Sequence, residues 1–392
     1  MTAPSLPQAL ALTTVSQIAA TTSVLAFTAI PTLVAAGMGV SPHLIGYQVS
    51  LIYAVGILFS IMAGGLVKRL GAGRVGQFAL LAAGIGFCGL ASGQIAGVAA
   101  GSALIGVGYG LVNPSSSHIL SRLAPAAKRN LVFSIKQAGV PLGGVTAALA
   151  VPPLAHWIGW QWAMVVLAAA TMAIAAIYIR YIPQWDGDRD PSVPILRGIR
   201  ARQALVWRDP SLSKLAIMGF LYSAMQLSLS SFMVAMLIED FSWSALAAAS
   251  CAAAMQASGA FGRVFWGFVA DRLGSGFLVL ALVGALQCVA GFGFTLLESF
   301  PAVGFAMILL AGLTALGWNG VAMAETAHAS PKGGTLTGEV LAWTFLGVVA
   351  GPAGFAALYG LTGDYVTIFR LFALLSLLGA ALALAGHLRR PR

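Results

Sequence analysis

The first charged side chain in the sequence is Lys68. Ahead of it run two apolar stretches, at about 9–36 and 44–67. Each is long enough to cross ~30 Å of hydrocarbon as a helix. Residues 1–30 have neither the basic start nor the short apolar run of a cleaved signal peptide, so 9–36 is expected to be a retained helix. A water-soluble domain carries about a quarter charged residues. Here the figure is 8%, with 59% hydrophobic residues and a mean hydropathy of +0.91. That composition belongs to a chain solvated by lipid.

Ten further apolar runs follow, near 75–95, 98–122, 130–154, 161–181, 214–238, 244–270, 277–297, 301–325, 336–361 and 365–387. The expectation is an all-α membrane protein of twelve transmembrane helices. A six-helix bundle over 1–182 and another over 214–392 flank a polar linker at 183–213. With both termini placed in the cytoplasm, Lys68, Arg69, Arg74, Arg122, Lys128, Arg129, Arg272 and Lys332 all fall in inner loops. The linker region adds Arg180, Arg189, Arg197, Arg200, Arg202, Arg208 and Lys214, and the tail adds Arg389, Arg390 and Arg392. No Lys or Arg falls in an expected outer loop, which is the positive-inside pattern. The net charge of +10 therefore needs no nucleic-acid partner, because a basic inner face lies against anionic lipid. Within the linker, Ile195–Val206 fits either an amphipathic surface helix or a solvated segment.

The second half of the chain echoes the first. Gly64-Gly-Leu-Val-Lys68-Arg69-Leu70-Gly71 returns as Gly267-Phe-Val-Ala-Asp271-Arg272-Leu273-Gly274. Asn113 and Pro125 keep the spacing of Asn319 and Pro331. Gly139-Val-Pro141-Leu-Gly143 is matched by Gly351-Pro352-Ala-Gly354. Thr13, Gln17 and Thr21 match Tyr222, Gln226 and Ser230, both at i, i+4, i+8, a spacing that places each trio on one helix face. Duplicated membrane halves of this kind are the mark of secondary transporters.

A Gly-x-x-x-Asp-Arg-x-Gly turn after the second span of a half, with a Gly- and Pro-rich fifth helix, resembles the major facilitator superfamily. The resemblance covers the whole chain. It implies two bundles with a mid-membrane substrate cavity between them and alternating access by rocking. It also gives the repeated turns, through Gly64, Arg69, Gly71, Gly267, Asp271, Arg272 and Gly274, the part of a conformational latch. Lys68 stands where that family has an acid, which leaves Asp271 to serve the C-terminal latch. The eighth span, Gly262-Arg263-Val-Phe-Trp266-Gly267, is similar to the corresponding helix of oxalate/formate antiporters and monocarboxylate transporters, where this Arg binds substrate carboxylate.

Ionisable residues inside spans are functional candidates, because burial there costs about 2.5–3.5 kcal/mol for Arg or Lys. Lys136 lies seven residues past Arg129, and Arg263 lies eight before Asp271. Both are then roughly 10–12 Å from the inner face. On the resemblance the two cations would line one cavity and favour an anionic substrate. The plainer alternatives are snorkelling for Lys136 and a structural pair for Arg263. Polar lining is expected from Asn113, Gln137, Gln256, Asn319, Gln17, Tyr222 and Gln226. Glu325, three residues before His328, is the candidate proton carrier, against a helix-end acid pairing with His328 or a loop cation. Glu339 reads the same way, whereas Glu239, Asp240, Glu298 and Asp364 are expected to be solvated. Arg370 is expected in an outer salt bridge or snorkelling.

Trp157, Trp160 and Trp162 read as an interface belt, and Trp266, Trp318 and Trp343 as deeper packing. Cys88, Cys251 and Cys288 read as packing residues, and the five histidines, His43 among them, show no metal-ligand spacing. No nucleotide-binding Gly-Lys-Ser/Thr loop or nucleophile–base arrangement is present, so neither ATP driving, an enzyme activity nor a cofactor is expected. Gly106-x-Gly108-x-Gly110 reads as close helix packing. The expected function is secondary transport of a small organic anion, a carboxylate, by symport with protons in a monomer of the bacterial inner membrane. The alternatives are an exporter of hydrophobic or cationic compounds on the same fold, and a non-transporting receptor or scaffold.

Overall fold

In lipid every backbone N–H and C=O must be satisfied internally, and a helix does this within one segment. The computed structural model describes residues 5–40, 45–195, 198–330 and 336–388, and all regular structure among them is helical. The first half holds α1 (Leu6–Leu25), α2 (Pro31–Met38), α3 (Ile45–Leu70), α4 (Ala72–Ala91), α5 (Ile95–Leu123), α6 (Arg129–Ile158) and α7 (Trp160–Trp185). A linker helix α8 (Ile199–Arg208) follows. The second half holds α9 (Pro210–Glu239), α10 (Ala245–Leu273), α11 (Gly276–Gly293), α12 (Leu296–Ser299), α13 (Pro301–Ala315), α14 (Asn319–Ala329), α15 (Thr337–Thr362) and α16 (Tyr365–Leu388).

Among the described residues, ten segments are long and apolar enough to cross a membrane. The expected first and eighth spans are helical but are not among the ten. The first is polar, with Thr13, Ser16, Gln17, Thr21, Thr22 and Ser23 all buried, and it ends at Leu25. A 3-10 turn over Phe27–Ala29 and a new helix beginning at Pro31 follow, so 9–36 is two helices rather than one. The eighth, α10, is diluted by Gln256, Arg263, Asp271 and Arg272. The tenth is split at residues 316–318 into α13 and α14.

Large apolar side chains such as Leu58, Phe78, Leu149 and Phe261 lie exposed, as a lipid-facing surface requires, while small residues sit where helices meet. Proline within a helix leaves one carbonyl without its donor. Pro114 does this to Gly110, and the Ser60 hydroxyl of α3 donates to that carbonyl at 3.0 Å. The helix therefore runs through the Asn113-Pro114 step unbroken to Leu123.

Two compact units result, and neither is contiguous in sequence. Unit one is Met1–Ala124, Lys136–Leu205 and Ser330–Ala342. Unit two is Pro125–Ile135, Val206–Ala329 and Trp343–Arg392. The expected division at 182 and 214 thus needs refining. The start of α6 belongs to unit two, the start of α15 belongs to unit one, and the linker divides after Leu205.

Candidate functional site

In unit one, three helices converge on Lys136, whose side chain is 1% exposed. Its Nζ donates to Gln17 Oε1 of α1 at 2.7 Å and to Asn113 Oδ1 of α5. Gln17 in turn donates to Thr21 Oγ1 at 3.4 Å. Glycines let α6 come this close to α1. A Cβ at Gly139 would stand 2.9 Å from Gln17 Cβ, and one at Gly143 would stand 2.6 Å from Thr21 Cβ. Thr22 Oγ1 also donates to the Gly143 carbonyl at 3.1 Å. Gln137 is buried beside Lys136. Hydrogen bonds to a charged group contribute about 1.5–3 kcal/mol each, enough to offset the burial of the ammonium. The two amides solvate that ammonium, and being neutral they do not remove its charge.

Unit two holds a second buried cation, Arg263 on α10, 3% exposed. One turn on, the Trp266 indole donates to the Leu313 carbonyl at 2.9 Å. The polar residues expected along α9 do not form one lining surface. Tyr222 is fully buried and donates its hydroxyl to the Leu280 carbonyl at 2.9 Å, so it packs α9 on α11. Gln226 accepts from the Trp318 indole at 3.0 Å, beside half-buried Asn319. Ser230 accepts from an exposed Gln256 at 3.3 Å. A helix turns about 100° per residue, so an i, i+8 pair is rotated by about 80° and the stripe winds off its face.

The two repeated turns are built differently. In unit two, Asp271 accepts from Asn130 N at 3.0 Å, Asn130 Nδ2 at 2.9 Å and Leu131 N at 2.8 Å, capping the start of α6. Gly267 and Gly320 make room there, since a Cβ on either would overlap Ser134. Gly274 closes α10 in the left-handed region at φ +64°. Arg272 lies over the Phe268 ring at 5.1 Å.

In unit one the chain after α7 covers the Gly64–Gly71 turn. Asp190 N donates to the Lys68 carbonyl at 2.7 Å, Lys68 Nζ reaches the Asp188 carbonyl at 3.4 Å, and Arg69 reaches the Val193 carbonyl at 3.5 Å. Gly71, at φ +101°, leaves space for Asp186, which accepts from Gly73 N at 2.6 Å and Arg74 N at 3.1 Å. Asp188 pairs with His118 Nε2 at 2.7 Å and Arg122 at 2.8 Å. Burial works to raise the Asp188 carboxyl, but His118, Arg122 and Lys68 together outweigh it and hold the group below its usual range. Burial wins at Asp186, which is raised despite its two N–H donors. Sequence reading missed both aspartates. Their signal was two acids directly after an apolar run in a chain holding only 11.

Glu325 is buried and accepts from Gly276 N at 3.1 Å, capping α11. His328 meets Arg129 at 2.7 Å through Nδ1. With Asn130 and Asp271, these groups line a polar cavity of about 170 Å³ in unit two. Glu339 is fully buried against Arg202 Nε at 2.6 Å. Glu239 and Asp240, expected to be merely solvated, are exposed but bonded, to the Tyr359 hydroxyl at 2.9 Å and Tyr365 N at 3.1 Å. Asp364 caps α16 through Thr367 N at 3.2 Å. Its burial is outweighed by the Thr367 hydrogen bonds and Arg370, so the carboxyl is held low. Trp157 and Trp162 are exposed, but Trp160 is buried edge-on to Phe27 and leaves the expected belt. The three cysteines are free, and no cluster of metal-ligating residues occurs among the described residues. His43, Arg197, Pro331, Lys332, Arg389, Arg390 and Arg392 lie outside the described residues.

Residues 12–334 match the sequence profile of the Major Facilitator Superfamily. Uncharacterised MFS-type transporters of two Mycobacterium tuberculosis strains, CDC 1551 and H37Rv, are 27% identical over 181 residues, 46% of this chain. The match spans 39% of the length of those relatives. Among solved structures, the human organic anion transporter MFSD10 (TETRAN) superposes with a TM-score of 0.77 at 17% identity, over 97% of this chain and 100% of that one. The Escherichia coli fucose:proton symporter FucP gives 0.76 at 14% identity, over 99% and 100%. A bacterial homologue of the iron transporter ferroportin gives 0.75 at 13%, over 97% and 98%. At these identities the likenesses show the fold. The profile match over most of the sequence shows that the chain belongs to the Major Facilitator Superfamily, with, among its described residues, the ten apolar helices of a multi-pass membrane protein.

Proposed function

We propose that the chain is a secondary active transporter of a small organic anion, a carboxylate, working by alternating access in symport with protons. The structural neighbours handle an organic anion, a sugar and iron by their names, so they do not choose among substrate classes. The observation that carries the choice is Lys136, a buried ammonium held by the neutral amides of Gln17 and Asn113. A fixed positive charge set among amide donors and acceptors suits a carboxylate, which needs one cation and several hydrogen-bond partners. Arg263 is the second candidate cation, supported by its burial and by the resemblance of its helix to carboxylate transporters. Gln137, Gln226, Gln256 and Asn319 remain candidate lining, whereas Tyr222 is better read as packing. The one-sided Lys and Arg pattern supports cytoplasmic termini, and the minimal loops and Ala-, Gly- and Leu-rich spans suit a bacterial inner membrane. The reading takes the transporter as a monomer.

The test is thermal stabilisation of the detergent-purified protein by a panel of mono- and dicarboxylates, beside Lys136→Met and Lys136→Arg. A carboxylate that stabilises the parent, loses its effect with Met and keeps part of it with Arg supports the reading. Stabilisation of parent and variants alike by lipophilic cations, with none by carboxylates, would replace it with the exporter. Glu325→Gln tests the coupling, because the amide oxygen can still cap Gly276 while the proton site is removed. Uptake that stays proton-dependent in this variant rules Glu325 out as carrier.

A further inference from the structure

The internal repeat sets Lys68 where the second copy has Asp271. Asp271 holds the start of α6 by accepting from the Asn130 and Leu131 amides, the second and third residues of that helix. The repeat counterpart of α6 is α15, through the matching Gly- and Pro-containing stretches around Pro141 and Pro352. Lys68 cannot accept a hydrogen bond, and its ammonium is turned to the Asp188 carbonyl. The start of α15 therefore cannot be held as the start of α6 is.

Unit one solves the problem with the opposite polarity. Glu339, the third residue of α15, is fully buried and accepts from Arg202 Nε at 2.6 Å. Arg202 comes from the linker helix α8, and its guanidinium also reaches the Ile195 carbonyl at 3.3 Å and the Ile61 carbonyl of α3 at 3.5 Å. Its neighbour Gln203 reaches the Glu339 carbonyl at 3.5 Å. Gly338 lies so near the Ser60 carbonyl that a Cβ would overlap it. One arginine thus ties together α3, the linker and the first turn of α15. A buried carboxylate stripped of such a partner is an uncompensated charge.

We propose that the linker helix is a clasp for α15, with Arg202 as the positioning residue that, through Glu339, keeps the start of that helix seated in unit one. The clasp takes over the holding task that Asp271 performs for α6. In alternating access, a state that withdraws the start of α15 from Ser60 has either to break this pair and wet both groups or to pull Arg202 off the Ile61 and Ile195 carbonyls. The strength of the pair, and hence the linker, then biases which state is populated.

Amide hydrogen exchange of the full chain in nanodiscs, without substrate, tests this independently of the anion reading. Arg202→Gln and Glu339→Gln are each expected to speed exchange about ten-fold or more over 337–342 and 199–205, with α4 and α11 unchanged. The charge-reversed double variant, Arg202→Glu with Glu339→Arg, is expected to recover part of that protection. Unchanged exchange in both single variants would overturn the proposal. So would acceleration spread equally over α4 and α11, because the pair would then serve only general stability. If neither single variant can be purified folded, Arg202→Lys decides. Acceleration confined to the two stretches supports the clasp, and no local change refutes it.

Discussion

Replacing Asp271 should loosen the start of α6 by an amount that its three hydrogen bonds allow to be worked out. Both carboxylate oxygens are engaged, Oδ1 by Asn130 N and Nδ2, and Oδ2 by Leu131 N. An acceptor placed at a helix N-terminus stabilises by about 0.5–2 kcal/mol, and negative charge there adds about 0.3–1 kcal/mol. Asp271→Asn keeps one acceptor oxygen and loses the charge, so the expected loss is about 1 kcal/mol. Asp271→Ala removes both oxygens, and about 2 kcal/mol is expected because the adjoining polar cavity lets water reach the freed amides. These losses correspond to about 5-fold and 30-fold increases in local opening. Amide exchange over 129–135 reads them directly. Arg272→Ala is the control, since Arg272 only stacks on Phe268 and should leave this stretch unchanged. Equal exchange in the parent, Asp271→Asn and Asp271→Ala would refute the capping argument. An Asn variant as loose as the Ala variant would show that charge, not the acceptor, carries the whole effect.

Three further outcomes follow from the packing and the charges. Gly284→Ala pushes a Cβ into the buried Tyr222 hydroxyl and should destabilise by about 1–3 kcal/mol. Tyr222→Phe added to it should cost less than the sum of the two single changes in thermal unfolding. Asp188 has a carboxyl lower in the folded chain than in the unfolded one. Its contribution is therefore complete above the ordinary range near pH 4 and disappears as pH falls through the folded value. Asp188→Asn should abolish that part of the acid sensitivity of thermal unfolding, and an unchanged acid limb would contradict the assignment. Gly71→Ala should also destabilise, because φ is +101° and the new methyl would overlap Asp186, with thermal unfolding as the readout.

What sequence could reveal was set by how local each signal is. Long charge-free runs and the doubled Gly-rich turn are local, so the helices and the repeat were legible before any coordinates. Apolarity is the weaker signal at α1 and α10: α1 buries Thr13, Ser16, Gln17 and Thr21 against protein, and α10 carries a buried Arg263 besides an exposed Gln256 and Arg272. Lys136 stood out as a charge within a span, but its partners Gln17 and Asn113 lie 119 and 23 residues away. No spacing rule could join them. The i, i+8 stripe on α9 failed because helical drift separates Tyr222 from Ser230. Asp186, Asp188 and Arg202 lie in a linker whose composition reads as solvated, and only the folded chain shows them bonded to α3, α4, α5 and α15.

The central claim is that a buried lysine selects a carboxylate for transport. Uptake of radiolabelled carboxylates into proteoliposomes under an imposed inward proton gradient measures it most directly, with the parent beside Lys136→Met and Lys136→Arg. The account predicts saturable, gradient-dependent uptake of at least one carboxylate, lost with Met and partly kept with Arg. Uptake indifferent to the charge at Lys136, or carboxylates left outside while neutral or cationic solutes enter, would contradict it.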